Sequence, residues 1–254
     1  MPLNIASLNS GSNGNCYYVG NESEAILVDA GISCRETEKR LAGLGLSFGL
    51  IRAIFISHEH SDHIRGVEVI AKKHRLPVYI TGPTLQNSRL KLDESLVVNF
   101  IAGFPVHIGS LEINASPKKH DAADPHSFTI TDGGITIGVF TDIGEPCEEV
   151  ICHFRQCRAV FLEANYDEKM LEEGSYPWFL KNRIRGDHGH LSNQQALDLF
   201  ARHKPPFMTH LLLSHLSHDN NNPEMVSELF KKQADGIEIT VASRYGATEV
   251  YQVW

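Results

Sequence analysis

The 254-residue chain carries 23 Lys and Arg against 31 Asp and Glu, a formal net charge of −8, and is 42% hydrophobic and 21% charged. This ordinary globular composition excludes disorder and collagen-like repeats, and the acidic balance argues against a protein that coats nucleic acid through bulk charge. No run of about 18 apolar residues marks a membrane span, the opening MPLNIASLNSGSNGNC lacks a basic start followed by an apolar core, and 5 Cys without a CxxC pair fit a reducing, cytoplasmic setting.

Residues 4–8, 16–19 and 25–29 are short apolar or alternating runs joined by Gly/Asn turns, which predicts strands. Residues 35–44 set Thr37, Leu41 and Leu44 at helical spacing, with Gly43 and Gly45 near the end. The β-branched run 51–57 predicts a buried strand, 62–74 a helix with Val67, Ile70 and Ala71 on one face, and 78–80 a short strand. The middle, from Val97 to Phe140, is strand-rich. Helical patterns return at 145–154, 167–173, 178–183 and 193–203, alternating with strands at 159–162 and 207–212. A last helix at 223–234 precedes strands at 237–241 and 248–253. No repeat, low-complexity tract or linker divides the chain, so residues 1–254 are expected to form one domain. Each half runs strands first, then strand and helix mixed, which suggests an α/β fold with a β-sandwich core and helices outside.

The 14 His are the unusual number. Ser57-His58-Glu59-His60-Ser61-Asp62-His63 stands where the strand at 51–57 runs into the helix at 62–74. Imidazoles and a carboxylate just past a strand end form a metal-ligand set. His58 and His60, two apart, point to one side of an extended chain, and Asp62 and His63 open the helix and face a second ion. The plain alternative is a solvated His-rich turn.

With this HxHxDH segment the chain resembles the metallo-β-lactamase superfamily, over nearly its whole length. Asp29 in Leu27-Val28-Asp29-Ala30-Gly31 matches the family's first motif, His120 in Lys118-Lys119-His120-Asp121 the third, Asp142 in Val139-Phe140-Thr141-Asp142 the fourth and His215 in Leu213-Ser214-His215 the fifth. The resemblance implies a four-layer αβ/βα sandwich and two divalent metal ions, Zn or Mn, with Fe as a further option. It implies that His58, His60 and His120 hold one ion, that Asp62, His63 and His215 hold the other, and that Asp142 bridges them. Asp29 would orient the loop from behind, or else is a turn Asp ahead of Gly31. His60 favours hydrolysis, because diiron oxidoreductases of this fold typically carry Glu there.

Ser10-Gly11-Ser12-Asn13-Gly14-Asn15-Cys16 resembles the signature of the YycJ/WalJ-like branch of the family, with PhnP-type phosphodiesterases and tRNase Z as kin. Such a loop either brings backbone N–H groups, Ser12, Asn13 and Asn15 to substrate or is an ordinary hairpin turn. Leu162-Glu163-Ala164 and Gly189-His190-Leu191-Ser192 resemble two tRNase Z motifs whose Glu and His pair to protonate the leaving oxygen. That would make Glu163, His190 and Asp142 the catalytic group, with His190 otherwise leading a helix-capping turn. Asn220 and Asn221, in a stretch resembling the branch's HLSxxNN, either face the substrate groove or brace the loop. Trp178 and Phe179 either stack on bases, with Lys181, Arg183 and Arg185 on phosphates, or pack an amphipathic helix. His126 lines the pocket or is a surface residue. The gap between Asp142 and His215 leaves no room for the extra domain of ribonuclease J-like nucleases.

Together these point to two-metal phosphodiester hydrolysis with a metal-bridging hydroxide as nucleophile, and the resemblance to the YycJ/WalJ-like branch implies single-stranded DNA or RNA cut 5′→3′ from an end. The resemblance also implies a DNA-repair association. The alternatives are a small-molecule hydrolase (cyclic phosphodiesterase, thioester or lactam hydrolase) and a metal-stabilised non-catalytic module.

Overall fold

The computed structural model describes residues 2–254. In chain order it forms β1 (Leu3–Asn9), β2 (Cys16–Gly20), β3 (Ala25–Val28), α1 (Cys34–Gly43), β4 (Ile51–Phe55), α2 (Ser61–Ile64), α3 (Val67–His74), β5 (Val78–Tyr79), α4 (Gly82–Ser88) and β6 (Val97–Val98). Then follow β7 (Val106–Ile108), β8 (Leu111–Pro117), β9 (His126–Asp132), β10 (Ile135–Phe140), α5 (Glu148–Phe154), β11 (Ala159–Glu163), α6 (Glu168–Glu173), α7 (Trp178–Arg185), α8 (Asn193–His203), β12 (His210–Ser214), α9 (Pro223–Lys231), β13 (Glu238–Val241) and β14 (Tyr251–Val253).

The strands make two 7-stranded mixed sheets, ordered β14-β1-β2-β3-β4-β5-β6 and β13-β12-β11-β10-β9-β8-β7. Their inner faces meet in one core, where Ile5, Val19, Val28 and Phe55 pack against Ile113, Phe128, Ile130 and Val139. Two aromatic pairs cross the gap: Tyr17 with Phe161 (centroids 4.9 Å apart) and Phe55 with Phe128 (5.7 Å). The outer face of the first sheet, through Leu27, Ile54 and Ile56, is covered by Leu41 of α1 and Val67 and Ile70 of α3. The outer face of the second, through Phe140, Leu162 and Leu213, is covered by Phe154 of α5, Phe200 of α8 and Phe230 of α9. Strands buried on both faces read as continuous apolar runs such as AILV and AVFLE, so periodicity predicts the strands without choosing this α/β fold over another. The layering is the α/β/β/α sandwich expected.

Element boundaries differ from expectation where tertiary contacts intervene. The helix expected over 62–74 divides into α2 and α3 at Gly66. A Cβ there would lie 2.0 Å from the Ile32 carbonyl oxygen, and the Gly66 N–H donates to the Ala30 carbonyl at 2.8 Å. Helix α4 was not expected from GPTLQNS, whose Gly and Pro read as a turn; the proline occupies the first turn, where its missing N–H costs nothing. The strand expected at 207–212 begins at His210, because Met208 N–H closes a turn onto the Pro205 carbonyl.

Strand direction places the site. β3 runs parallel to β4 (Val28 opposite Phe55), and β10, β11 and β12 run parallel (Phe140 opposite Leu162, Glu163 opposite Ser214). β8, antiparallel to β9, which is antiparallel to β10, ends on the same rim. The segments after β3, β4, β8, β10 and β12 therefore converge, as ligand sites do at the carboxyl ends of parallel strands.

Candidate metal centre

Three residues that leave these strands adopt left-handed backbone: Asp29 (φ 60°), Asp142 (φ 55°) and His215 (φ 56°). Non-glycine residues take this region at a cost of about 1–2 kcal/mol, Asp and His more readily than most. Each such kink turns a side chain off its strand axis into the rim. Asp29 is fully buried. Its Oδ1 accepts the Ser57 N–H at 2.8 Å, and its Oδ2 accepts from Ser57 Oγ and His63 Nδ1, each at 2.7 Å.

The imidazoles form two groups. His58 Nε2 lies 3.1 Å from His60 Nδ1, and His120 Nε2 lies 3.3 Å from the same atom. Asp62 Oδ2 lies 3.5 Å from His63 Nε2 and 3.4 Å from His215 Nε2. Asp142 stands between the groups, with Oδ2 3.3 Å from His63 Nε2 and Oδ1 3.5 Å from His215 Nε2 and 3.9 Å from His120 Nε2. Asp142 Oδ2 is buried without a hydrogen-bond partner. An orphaned carboxylate oxygen among converging imidazole nitrogens is the donor set of divalent cations, and the residues present fit two of them.

The far nitrogens are held as metal-ligating histidines require. His58 Nδ1 meets Ser57 Oγ at 2.9 Å, His63 Nδ1 meets Asp29, His120 Nδ1 donates to the Gly189 carbonyl at 3.0 Å, and His215 Nδ1 meets Glu163 Oε1 at 3.1 Å. Burial opposes the charge of Asp142, but the His215 and His63 imidazoles outweigh it and keep its carboxyl well below the ordinary range. Burial pushes His120 down to about 3 against the pull of Asp142, which leaves the ring neutral and able to bind a cation.

Glu163 ends β11 with no exposure. Its Oε2 accepts the N–H groups of Ile143 (2.8 Å) and Leu191 (3.1 Å), and its Oε1 meets His190 Nδ1 at 2.8 Å. Burial raises the Glu163 carboxyl, and the His190 and His215 contacts lower it further, to about 2. His190 keeps 19% of its side chain exposed and lies parallel to His215, ring centroids 5.2 Å apart.

Other expected contacts lie elsewhere. Asn15 is fully buried and donates to Asp62 Oδ2 at 3.1 Å, so it braces the loop and does not reach solvent. Asn13 donates to the Arg244 carbonyl at 2.7 Å; Ser12 is exposed. Asn221 is 6% exposed and donates to the carbonyls of Ala164 and Asn165, bracing the loop after β11, and Asn220 is 1% exposed. The Asn220 amide is sealed from solvent, whereas Asn221 lines the cavity beside Leu216. Lys181 Nζ donates to the Glu172 carbonyl, and Arg185 lies between Glu172 Oε2 (3.0 Å) and the Trp178 ring (4.6 Å). Lys181 is half-buried and Arg185 exposed, and these contacts engage part of their hydrogen-bonding capacity. Arg183 does reach the rim, through Asp121 Oδ2 at 2.5 Å, and Asp121 Oδ1 lies 3.3 Å from His120 Nε2. Helix α7 buries no residue, and Trp178 and Phe179 are 65% and 72% exposed, against the packed-helix reading. His126 is buried, its ring edge against Phe100, and is neither surface nor pocket.

Two contributors escaped sequence reasoning. Lys118, 6% exposed, donates from Nζ to the Thr141 carbonyl at 2.7 Å, beneath Asp142. Gly31 lies so close to the loop that a Cβ would stand 1.6 Å from the Asp62 carbonyl oxygen. Both stand beside motif residues, but only the packing shows their use.

Comparison with known proteins agrees with this geometry. A family model described as a β-lactamase superfamily domain matches residues 24–215, from the residue before β3 to the last histidine of the cluster. The chain belongs to the metallo-β-lactamase superfamily. It is a hydrolytic enzyme of that family. Exodeoxyribonuclease YycJ of Bacillus anthracis is 33% identical over 246 residues, covering 93% of this chain and 92% of that one. Exodeoxyribonuclease WalJ of Streptococcus pneumoniae is 34% identical over 223 residues, 86% and 83% of the two chains. Among solved structures, the metallo-β-lactamase fold protein YhfI of Bacillus subtilis superposes with a TM-score of 0.74 at 17% identity, covering 99% of this chain and 100% of that one. A diphosphatase of the PhnP family gives 0.67 at 16% identity (100% and 98%). Human tRNase Z, short form, gives 0.63 at 16% identity (98% and 99%). Among the described residues no helix is long and apolar enough to cross a membrane.

Proposed function

We propose that the chain is a dinuclear phosphodiester hydrolase acting on nucleic acid, a single-strand 5′→3′ exonuclease whose seven ligands are His58, His60, Asp62, His63, His120, Asp142 and His215. The observation that carries this reading is the Glu163–His190 pair, 2.8 Å apart and joined to the cluster through His215. The relatives named exodeoxyribonuclease support the substrate class. Divalent ions, zinc or manganese, would supply a nucleophile at neutral pH and neutralise phosphate charge.

The chain's own residues do the rest. Asp29 and Ser57 fix His63 and His58, so that the Nε2 atoms face inward. Glu163 accepts from His190 Nδ1, which leaves His190 Nε2 to deliver a proton to the departing alkoxide; positioned proton transfer of this kind contributes about 10²–10⁴-fold. Residues 1–254 act as one domain in this reading, because both sheets contribute ligands to a single rim. The free cysteines fit a reducing cytoplasm.

The test is a parallel assay of zinc- and manganese-loaded protein on end-labelled single-stranded DNA and RNA, bis-p-nitrophenyl phosphate, a thioester and a chromogenic lactam, with His60→Ala as blank. Stepwise shortening of an oligonucleotide is the expected result. Turnover of the thioester or lactam alone would replace this reading with a small-molecule hydrolase.

A further inference from the structure

A cavity of about 300 Å³ adjoins the cluster, walled by Ser10, Leu216, Val241, Ala242, Arg244 and Tyr245 among others. It shares a wall with the metal centre. Ser10 Oγ accepts the His215 N–H at 2.7 Å, and Leu216 is the residue after that ligand. The far wall is fixed by the loop after β1: Ser10 N–H donates to the Ser243 carbonyl at 3.1 Å and Asn13 Nδ2 to the Arg244 carbonyl at 2.7 Å. The SGSNGN segment thus holds Arg244 in place through the backbone.

Arg244 Nη1 is buried without a hydrogen-bond partner. Asp219, the carboxylate that feels its charge, is engaged instead by Tyr176 OH at 2.8 Å and His218 Nδ1 at 2.7 Å. Arg244 lines the cavity wall and makes no ion pair among the described residues, and the planar fork of a guanidinium matches phosphate oxygens. Tyr245, 74% exposed, has its ring centroid 6.0 Å from the Arg244 guanidinium and offers an aromatic face of the kind bases stack on. Leu216, Val241 and Ala242 supply apolar surface, and Ser217, His218 and Asn221 add polar groups. The volume stands at the lower end for small-ligand sites and admits one nucleotide.

We propose that this cavity receives the terminal nucleotide of a strand, with the terminal phosphate on Arg244, the base against Tyr245 and the next phosphodiester at the adjoining metal centre. A site that holds a single terminal nucleotide restricts cleavage to ends. The assignment rests on the phosphodiesterase reading above.

The experiment supplies one single-stranded DNA sequence with a terminal phosphate or hydroxyl at each end in turn, and as a closed circle, to the metal-loaded wild type, Arg244→Ala, Arg244→Lys and Tyr245→Ala. Metal content and circular dichroism are measured for each. The wild type is expected to favour a phosphorylated end and to be inhibited competitively by a mononucleotide monophosphate. Arg244→Ala is expected to raise KM for that end about tenfold or more, to erase the phosphate preference and to weaken the inhibition equally. Arg244→Lys should recover part of each effect.

Phosphate preference unchanged in Arg244→Ala overturns the assignment, as does a wild type that is indifferent to terminal phosphate and uninhibited by the mononucleotide. Circles cut as fast as linear strands overturn it too. In the first two results the exonuclease reading stands; circles cut as fast as linear strands remove its dependence on ends as well and leave phosphodiester hydrolysis alone. A wild type that turns over bis-p-nitrophenyl phosphate but shortens no strand removes the nuclease reading itself, and the cavity assignment with it.

Discussion

Oε1 of Glu163 lies 2.8 Å from Nδ1 of His190 and 3.1 Å from Nδ1 of His215. One oxygen thus orients a proposed proton donor and a proposed metal ligand together. His190→Ala should lower kcat on phosphodiesters by about 10²–10⁴-fold and leave metal content unchanged. Glu163→Gln should lower kcat and also weaken metal affinity about 10–100-fold, because His215 loses its orienting carboxylate. Metal analysis beside steady-state kinetics separates the two; equal metal loss in both variants would make His190 a structural residue.

Chelation should abolish activity, and zinc or manganese should restore it with about two ions per chain bound. Asp142→Ala removes the carboxylate that touches both histidine groups, so it should lower the bound metal and leave no measurable turnover. Far-UV circular dichroism should stay near wild type, since Asp142 lies beyond β10 and outside both apolar cores.

Gly31→Ala should be among the most damaging single substitutions. The added methyl would meet the Asp62 carbonyl oxygen, to which Asn15 N–H donates at 2.7 Å, so the loop carrying Asp62 and His63 must move. A stability loss of roughly 3 kcal/mol or more is expected from urea unfolding, together with loss of metal. A variant with wild-type stability and metal content would show that the loop yields freely.

Lys118→Met should harm the metal-free protein more than the loaded one. The buried ammonium stands among Asp142, Asp29, Glu163 and Asp62, and it bonds the Thr141 carbonyl. Without cations it is the buried countercharge to those acids, and its removal should cost about 1–3 kcal/mol. Bound divalent ions would take over part of that role, so the Tm difference should shrink on metal loading.

Glu163 has a folded-state pKa of about 2, depressed below its unfolded value of roughly 4.3. Its contribution to stability is therefore complete above the unfolded value and is lost as pH falls through the folded one. Metal-free protein should show a steep fall in Tm between about pH 4.5 and 2, and Glu163→Gln should flatten it. An equal slope in that variant would assign the acid sensitivity to other carboxylates.

The cluster of His and Asp side chains at the rim was legible because its spacing is local. His58, His60, Asp62 and His63 share one short segment at a strand end, and Asp29, Asp142 and His215 each close an apolar run that betrays its strand, while His120 follows its strand across Lys118 and Lys119. The substrate contacts were not legible, because polarity does not reveal direction. Asn15 and Asn220 look like groove residues in a Gly/Asn-rich chain and are buried by contacts distant in sequence. Lys181 and Arg185 look like phosphate contacts and face Glu172. The helix break at Gly66 has the same origin, since only the proximity of Ile32 shows why the helix stops.

The pairing of β1 with β14, Leu3 opposite Val253, bears on how the protein is made. A ribosome delivers this edge strand only after His215, the last of the proposed ligands, and after Arg244, whose carbonyl anchors the loop that follows β1. A nascent chain halted before β12 has His58, His60 and His120 but no complete second ligand group. Full metal uptake during synthesis would thus report that translation has passed β12, and a cell short of metal would release chains whose rim holds its carboxylates together without cations.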